Sequence, residues 1–318
     1  MTYYLGITDT RWFRFLVRRD NEDVNFWKPG GGGNFRALTP GAPFLFKLKA
    51  PINKVGGVGF FSSFTRLPLS IAWDVFEERN GLASYADFRT TIANYRKRLN
   101  KPVAPNPTIG CIVLTDPIFF DEADWLEIPA GMRSQIVTGK VYDTGAAEGS
   151  AYWARVARLI ARYRRAAPAP PAKDLFTAVA LEPEAPRYGT PTLSPVRLGQ
   201  GAFRVQVTDT YTRRCAISGE KTLPALEAAH VKPYASNGPH HIQNGLLLRA
   251  DIHKLYDSGY LTVTPDYRVE VSGRIKTEFA NGKDYYKFHG ERLAVLPEVA
   301  AQRPGRQYLA WHNERVFG

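Results

Sequence analysis

The segment from Arg213 to Val263, RRCAISGEKTLPALEAAHVKPYASNGPHHIQNGLLLRADIHKLYDSGYLTV, constrains this chain most. Two short strand-like runs, LEAAH and QNGLLLR, flank a polar, turn-rich loop. ADIHKLYD follows directly and places His253 and Asp257 on one face of a helical turn. His230 closes the first run and Asn244 opens the second. All six histidines lie after residue 229, and four fall between His230 and His253. A β-hairpin crossed by a short helix would bring these groups together.

Those residue types suit one kind of chemistry. Hydrolysing a phosphodiester needs a base to activate water and a cation to stabilise charge on the phosphate and leaving oxygen. One imidazole can be the base, and a second with a carboxylate can hold the metal. The AAH, NGLLLR, IH, LYD and Y elements, in this order, resemble the HNH (ββα-metal) endonuclease family in its bacterial restriction-type form. The resemblance runs over about residues 197–275. It implies that His230 is the general base and that Asn244 braces the loop and orients it. It further implies that His253 is a metal ligand, with Asp257 a second.

Two departures mark the segment. Many family members carry a metal ligand immediately before the base, and here that position is Ala229. The metal is then held by fewer protein groups, or by another such as His241, Asp251 or Glu227. Few protein ligands and several waters suit Mg²⁺ or Mn²⁺. Many relatives also carry paired cysteines near Cys215 for a structural zinc. This chain has only Cys111 and Cys215, so no structural zinc and no disulfide framework are expected. His240, His289 and His312 read as solvated surface histidines. In RLGQGAFRVQV, a helix entering the module, Arg197, Gln200 and Arg204 are candidate DNA phosphate contacts.

The charge balance agrees with a nucleic-acid partner: 42 Lys and Arg against 30 Asp and Glu give a net charge of +12. The amino terminus lacks the pattern of a signal peptide, and no apolar run is long enough to span a bilayer. A cytoplasmic protein without a membrane segment is expected.

Five of the six tryptophans lie in the first half of the chain. TYYLGIT, WFRFLVRR and DVNFWK read as strands, as do PFLFKL, half-buried by the alternation of Phe44, Phe46 and Leu48, and KVGGVGFFSSF. SIAWDVFEERNG and SYADFRTTIANYRKRL read as helices, the second capped by Ser84. TIGCIVLTDPIFF reads as a buried strand and GSAYWARVARLIARYRR as an amphipathic basic helix. GGGG at 30–33 is followed by no GK[ST], which argues against a nucleoside-triphosphate loop. The pattern resembles a PUA-like domain, related to the EVE and SRA kinds, over about residues 1–145. That resemblance implies a curved β-barrel with flanking helices and an aromatic pocket for a flipped, modified base. Trp27, Asn34, Phe60, Phe61, Ser62, Trp73 and Asp74 are the candidate pocket residues.

The expected architecture is α+β: a PUA-like domain at 1–165, a Pro/Ala-rich linker at 166–195 and an HNH domain at 196–318. The expected function is cleavage of double-stranded DNA carrying 5-methyl- or 5-hydroxymethylcytosine, by a homodimer that uses one Mg²⁺ or Mn²⁺ per site. Two alternatives stand beside it: a nuclease reading unmodified sequence, and a modified-DNA-binding protein whose nuclease has decayed.

Overall fold

The structure is a computed structural model and describes residues 1–132, 136, 138–166 and 199–318. These residues divide into two compact units, Met1–Ala202 and Phe203–Gly318. Arg197, and the linker stretch beyond Ala166, lie outside the described residues.

Unit 1 is built on β1 (Thr2–Thr8), β2 (Asp23–Lys28), β3 (Pro43–Leu48), β4 (Lys54–Pro68), β5 (Thr108–Phe119), β6 (Leu126–Glu127) and β7 (Gly139–Asp143). One sheet joins them in the order β2-β5-β4-β3-β1-β7, with β6 on β4. β1 and β3 run parallel, while β2 and β5 are antiparallel, as are β4 and β5. The pairing is that of a mixed sheet, and among the described residues no ladder joins β2 to β7.

WFRFLVRR, which its aromatics mark as a strand, is instead helix α1 (Thr10–Leu16). The Asp9 carboxylate caps it, accepting from Arg11 N at 2.9 Å. Trp12, Phe13 and Leu16 then bury one side, so capping and tertiary packing override β propensity. Helices α2 (Leu69–Phe76) and α3 (Tyr85–Arg98) form as expected, and Ser84 caps α3 by accepting from Asp87 N at 3.1 Å.

The sheet is covered on both faces. That is why β3 is buried along its whole length and not half-buried as its alternation suggests. One face packs Phe44, Phe46, Phe61, Ile112 and Leu114 against α1. The other packs Tyr3, Leu5, Leu45, Val58 and Phe60 against Tyr152, Val156 and Ile160 of α4 (Ala147–Ala166).

Unit 2 takes up α5 (Gln200–Thr210) from Phe203 onward. β8 (Leu226–His230) and β9 (Gly245–Arg249) pair antiparallel, with His230 opposite Gly245. Helix α6 (Ala250–Asp257) leaves β9 without a loop. β10 (Leu261–Val263) and β11 (Val269–Val271) form a second hairpin, followed by α7 (Arg274–Phe279), α8 (Lys283–Tyr286) and α9 (Arg306–Arg315). Leu246, Leu247 and Leu248 are all buried, which makes β9 the spine of this core. Each such side chain contributes about 1.5–3 kcal/mol by leaving water. Cys215 is buried, and its Sγ accepts from Ser218 N and Arg249 N, each at 3.3 Å, tying the preceding turn to the end of β9. Among the described residues no helix is long and apolar enough to cross a membrane.

Candidate active site

The hairpin presents His230 at its loop end, where β8 gives way to the loop. Phe203 stacks on the imidazole, with centroids 4.0 Å apart and planes 10° apart. Burial pushes this histidine down to about 4, and the neighbouring His240 and His253 add to the effect. The ring is therefore neutral near neutral pH and carries a lone pair. His230 Nε2 lies 2.9 Å from His240 Nδ1. His240 is thus not the solvated residue its loop position suggests: it is half-buried, and Tyr234 stacks on its ring at 4.9 Å.

Asn244 is fully buried and fastens the loop between the strands. Its Oδ1 accepts from Lys232 N at 2.9 Å. Its Nδ2 donates to Lys232 O at 2.9 Å and to Pro239 O at 3.0 Å. One amide therefore pins the loop at both ends, the far end lying one residue before His240. Gly238 must stay bare, because a Cβ there would strike Lys232 O and come within 2.9 Å of Asn244 Nδ2.

On α6, His253 Nε2 lies 3.3 Å from Asp257 Oδ2. Its other ring nitrogen, Nδ1, lies 2.6 Å from Glu227 Oε2, contributed by β8. Burial holds the Asp257 carboxyl above its ordinary range; the His253 charge opposes this and Glu227 adds to it. The imidazole thus stands between two carboxylates on opposite ring nitrogens. Among the described residues no three His, Cys, Asp or Glu side chains stand ready to share one ion. The geometry explains this, since Glu227 is on the far side of the ring from Asp257.

Other candidate ligands are engaged elsewhere. Asp251 pairs with Arg249 through both oxygens, at 2.5 and 2.7 Å, and accepts from Tyr285 at 3.2 Å. His241 Nδ1 accepts from Gln243 N at 3.3 Å, closing the turn before Asn244. Ala229 lies in the core of unit 2. Gln200, the first residue of α5, is exposed, and Arg204 one turn later is half-buried.

The candidate base-pocket residues of unit 1 separate into groups. Phe60 and Phe61 pair with Thr115 and Leu114 on β5, so they point to opposite sheet faces and join different clusters. Trp27 and Trp73 both approach Phe88, at 6.0 and 6.2 Å. Trp27 Nε1 also donates to Asn80 O at 2.9 Å. Ser62 is buried, while Asn34 and Asp74 are exposed. Two further side chains, Ser63 of the Phe60–Ser63 run and Asn25, lie on the sheet face of Trp27. Asn25 on β2 and Ser63 on β4 both stand opposite Val113 of β5. Among the described residues, Asn25 Oδ1 and Ser63 Oγ are buried without a hydrogen-bond partner.

The sequence signal missed one further residue in unit 2: His240 is marked only as half of the His240-His241 doublet. Glu227, named as an alternative ligand, meets the Nδ1 of His253 at 2.6 Å.

Residues 215–264 match the HNH endonuclease family. This segment contains the complete β8–loop–β9–α6 arrangement. No curated protein matches the chain. A solved structure titled modification dependent TagI restriction endonuclease is similar at 22% identity and a TM-score of 0.27, over 38% of this chain and 39% of that one. The chain thus spans well under half of that protein's length. The crystal structure of ASCH from Zymomonas mobilis is similar at 11% identity and a TM-score of 0.29, covering 50% of this chain and 94% of that one. A mutant form of that ASCH protein gives 12% identity and a TM-score of 0.30, over 50% and 96% of the two chains.

Proposed function

We propose that the chain is a modification-dependent DNA endonuclease in which unit 2 hydrolyses the phosphodiester and unit 1 recognises a modified cytosine. The observation that carries the hydrolytic part is the hairpin and helix within the HNH match. They gather a neutral, half-buried His230, the loop brace Asn244 and the His253–Asp257 pair in one supersecondary element.

The donor set fits a hard divalent cation held by few protein groups. Two ligands at right angles on such an ion, each about 2.1 Å away, stand about 3 Å apart, and His253 Nε2 and Asp257 Oδ2 are 3.3 Å apart. Both side chains reach solvent, which leaves room for waters, as Mg²⁺ or Mn²⁺ requires. When bound, the ion supplies charge stabilisation at the phosphate and the leaving oxygen. Glu227 accepts from His253 Nδ1, which leaves Nε2 as the ligating nitrogen and fixes the ring. His230, neutral at working pH, takes the proton from the attacking water. Asn244 holds the loop so that this ring keeps its place. Arg197, Gln200 and Arg204 remain proposed phosphate contacts.

In unit 1 the modified-base reading rests on the surroundings of Trp27. Aromatic rings on the sheet face of two buried oxygens that have no partner among the described residues offer a stacking surface with polar groups for a base edge. A PUA-like curved barrel is the architecture proposed for this unit. Cutting both strands requires two hydrolytic sites, so a homodimer on double-stranded DNA is part of the proposal.

The test is cleavage of one plasmid carrying cytosine, 5-methylcytosine, 5-hydroxymethylcytosine or glucosylated cytosine, with Mg²⁺ or Mn²⁺. Cutting confined to a modified form supports the proposal. Equal cutting of all forms favours a nuclease reading unmodified sequence. Binding without cutting favours a decayed nuclease. Analytical ultracentrifugation with DNA showing monomer alone would remove the dimer.

A further inference from the structure

We infer that His240 is a positioning residue that locks His230 in the tautomer able to act as base. The inference rests on the nuclease reading of unit 2 but concerns a side chain outside the residues that the HNH resemblance marks.

His230 has one tied and one open ring nitrogen. Nε2 meets His240 Nδ1 at 2.9 Å, and Nδ1 has no protein partner among the described residues. A neutral imidazole carries one N–H and one lone pair, so this contact runs in one of two directions. If His240 Nδ1 donates, His230 must carry its own proton on Nδ1. The open nitrogen then has no lone pair and cannot accept a proton from water. If His230 Nε2 donates to His240 Nδ1, the open Nδ1 keeps its lone pair. Only the second direction gives a base, and it makes His240 the acceptor that selects it. After Nδ1 takes the proton, the imidazolium still donates from Nε2 to the same acceptor, which stabilises the charge.

The surroundings hold His240 in place beside His230. Phe203 stacks on His230 and Tyr234 stacks on His240, with interplanar angles of 10° and 15°, so both rings are fixed in plane. Asn244 Nδ2 donates to Pro239 O at 3.0 Å, which sets the backbone one residue before His240. The brace therefore reaches the base through Pro239 and His240 as well as through Lys232.

The test is single-turnover and steady-state cleavage by the wild-type protein and by His240→Ala and His240→Asn, with melting curves to check folding. Losing the outer partner of a metal-bound histidine costs about 10–100-fold, and a comparable factor is expected for the partner of a base. His240→Ala is therefore expected to lower kcat by that factor and leave KM for DNA unchanged. His240→Asn keeps an acceptor oxygen near the position of Nδ1 and is expected to recover most of the rate. Nitrogen-15 spectra of the histidine rings should find His230 of the wild type protonated at Nε2, and a mixture of tautomers in His240→Ala. Wild-type kcat in His240→Ala, or a wild-type His230 protonated at Nδ1, would overturn the inference. If the wild type cuts no DNA, the nuclease reading fails, and the ring spectra still decide the tautomer.

Discussion

The β8–β9 hairpin holds a half-buried histidine and the carboxy-terminal helix α9 a buried one, and burial pushes both rings down to about 4. Their wiring differs. His312, 2% exposed, uses both nitrogens: Nε2 donates to Tyr256 O at 3.1 Å, and Nδ1 accepts from Thr262 Oγ1 at 2.8 Å. The donor is fixed, because a carbonyl only accepts, so Nδ1 must hold the lone pair. Tyr256 stacks on the ring at 3.7 Å. His230 leaves one nitrogen without a protein partner among the described residues and faces a loop. A lowered proton affinity is thus common to a core fastener and a candidate base; the open lone pair separates them. Titration alone does not mark a site.

The comparison is broken most directly at His230. His230→Ala is expected to lower DNA cleavage by about 10²–10⁴-fold, the usual contribution of a general base, while DNA binding persists. Cleavage and gel-shift measurements on one preparation check this. Retained cleavage would show that the open nitrogen does no chemistry.

At His312 the expected effect is on stability. Its proton affinity is lower folded than unfolded, so the unfolded chain binds the extra proton first as pH falls. The contribution is complete above about 6.5 and is lost as pH drops towards 4, amounting to about 3 kcal/mol at most. His230 titrates in the same window, but it is half-buried and its share is smaller. Urea denaturation of the wild type and His312→Gln from about pH 7.5 to about pH 4.5 separates the two. The substitution should flatten the acid slope of the wild type. An unchanged slope would mean that His312 is not buried neutral.

Much of this was legible in the sequence, and the reasons for the rest are physical. LEAAH, GLLLR and ADIHKLYD fold as read, because alternation, a turn-rich loop and a four-residue helical step are local signals. The places of His230, Asn244, His253 and Asp257 follow from them. WFRFLVRR misleads because its aromatics favour a strand, whereas Asp9 and a sheet face formed by later residues make it a helix. His312 reads as solvated because its partners Tyr256 and Thr262 come from 56 and 50 residues away. His240 was hidden for a similar reason: its contact with His230 depends on how the loop folds and not on its neighbours in sequence. In unit 1 the run Phe60-Phe61 reads as one patch, but strand alternation divides it between two faces.

His253 sharpens the comparison from a third side, since both of its nitrogens have carboxylate neighbours. Glu227→Gln keeps the shape of the contact to Nδ1 and removes its charge. Loss of such an outer partner costs about 10–100-fold in metal affinity. Mn²⁺ binding followed by water-proton relaxation should weaken by about that factor and stay unchanged in Glu220→Gln. An equal loss in both variants would point to general charge and not to the 2.6 Å contact.

The smallest effect belongs to His289, the histidine that the same logic sets aside. It is exposed, and its Nδ1 accepts from Val271 N at 3.0 Å, tying the segment after α8 to the end of β11. That is one hydrogen bond at the surface, worth about 0.5–1.5 kcal/mol. His289→Ala should therefore lower the urea midpoint slightly and leave cleavage and Mn²⁺ affinity at wild-type values. A fall in cleavage without a fall in stability would mean that a histidine tied to the backbone still serves the reaction. The open lone pair at His230 would then no longer be what distinguishes the base from the other rings.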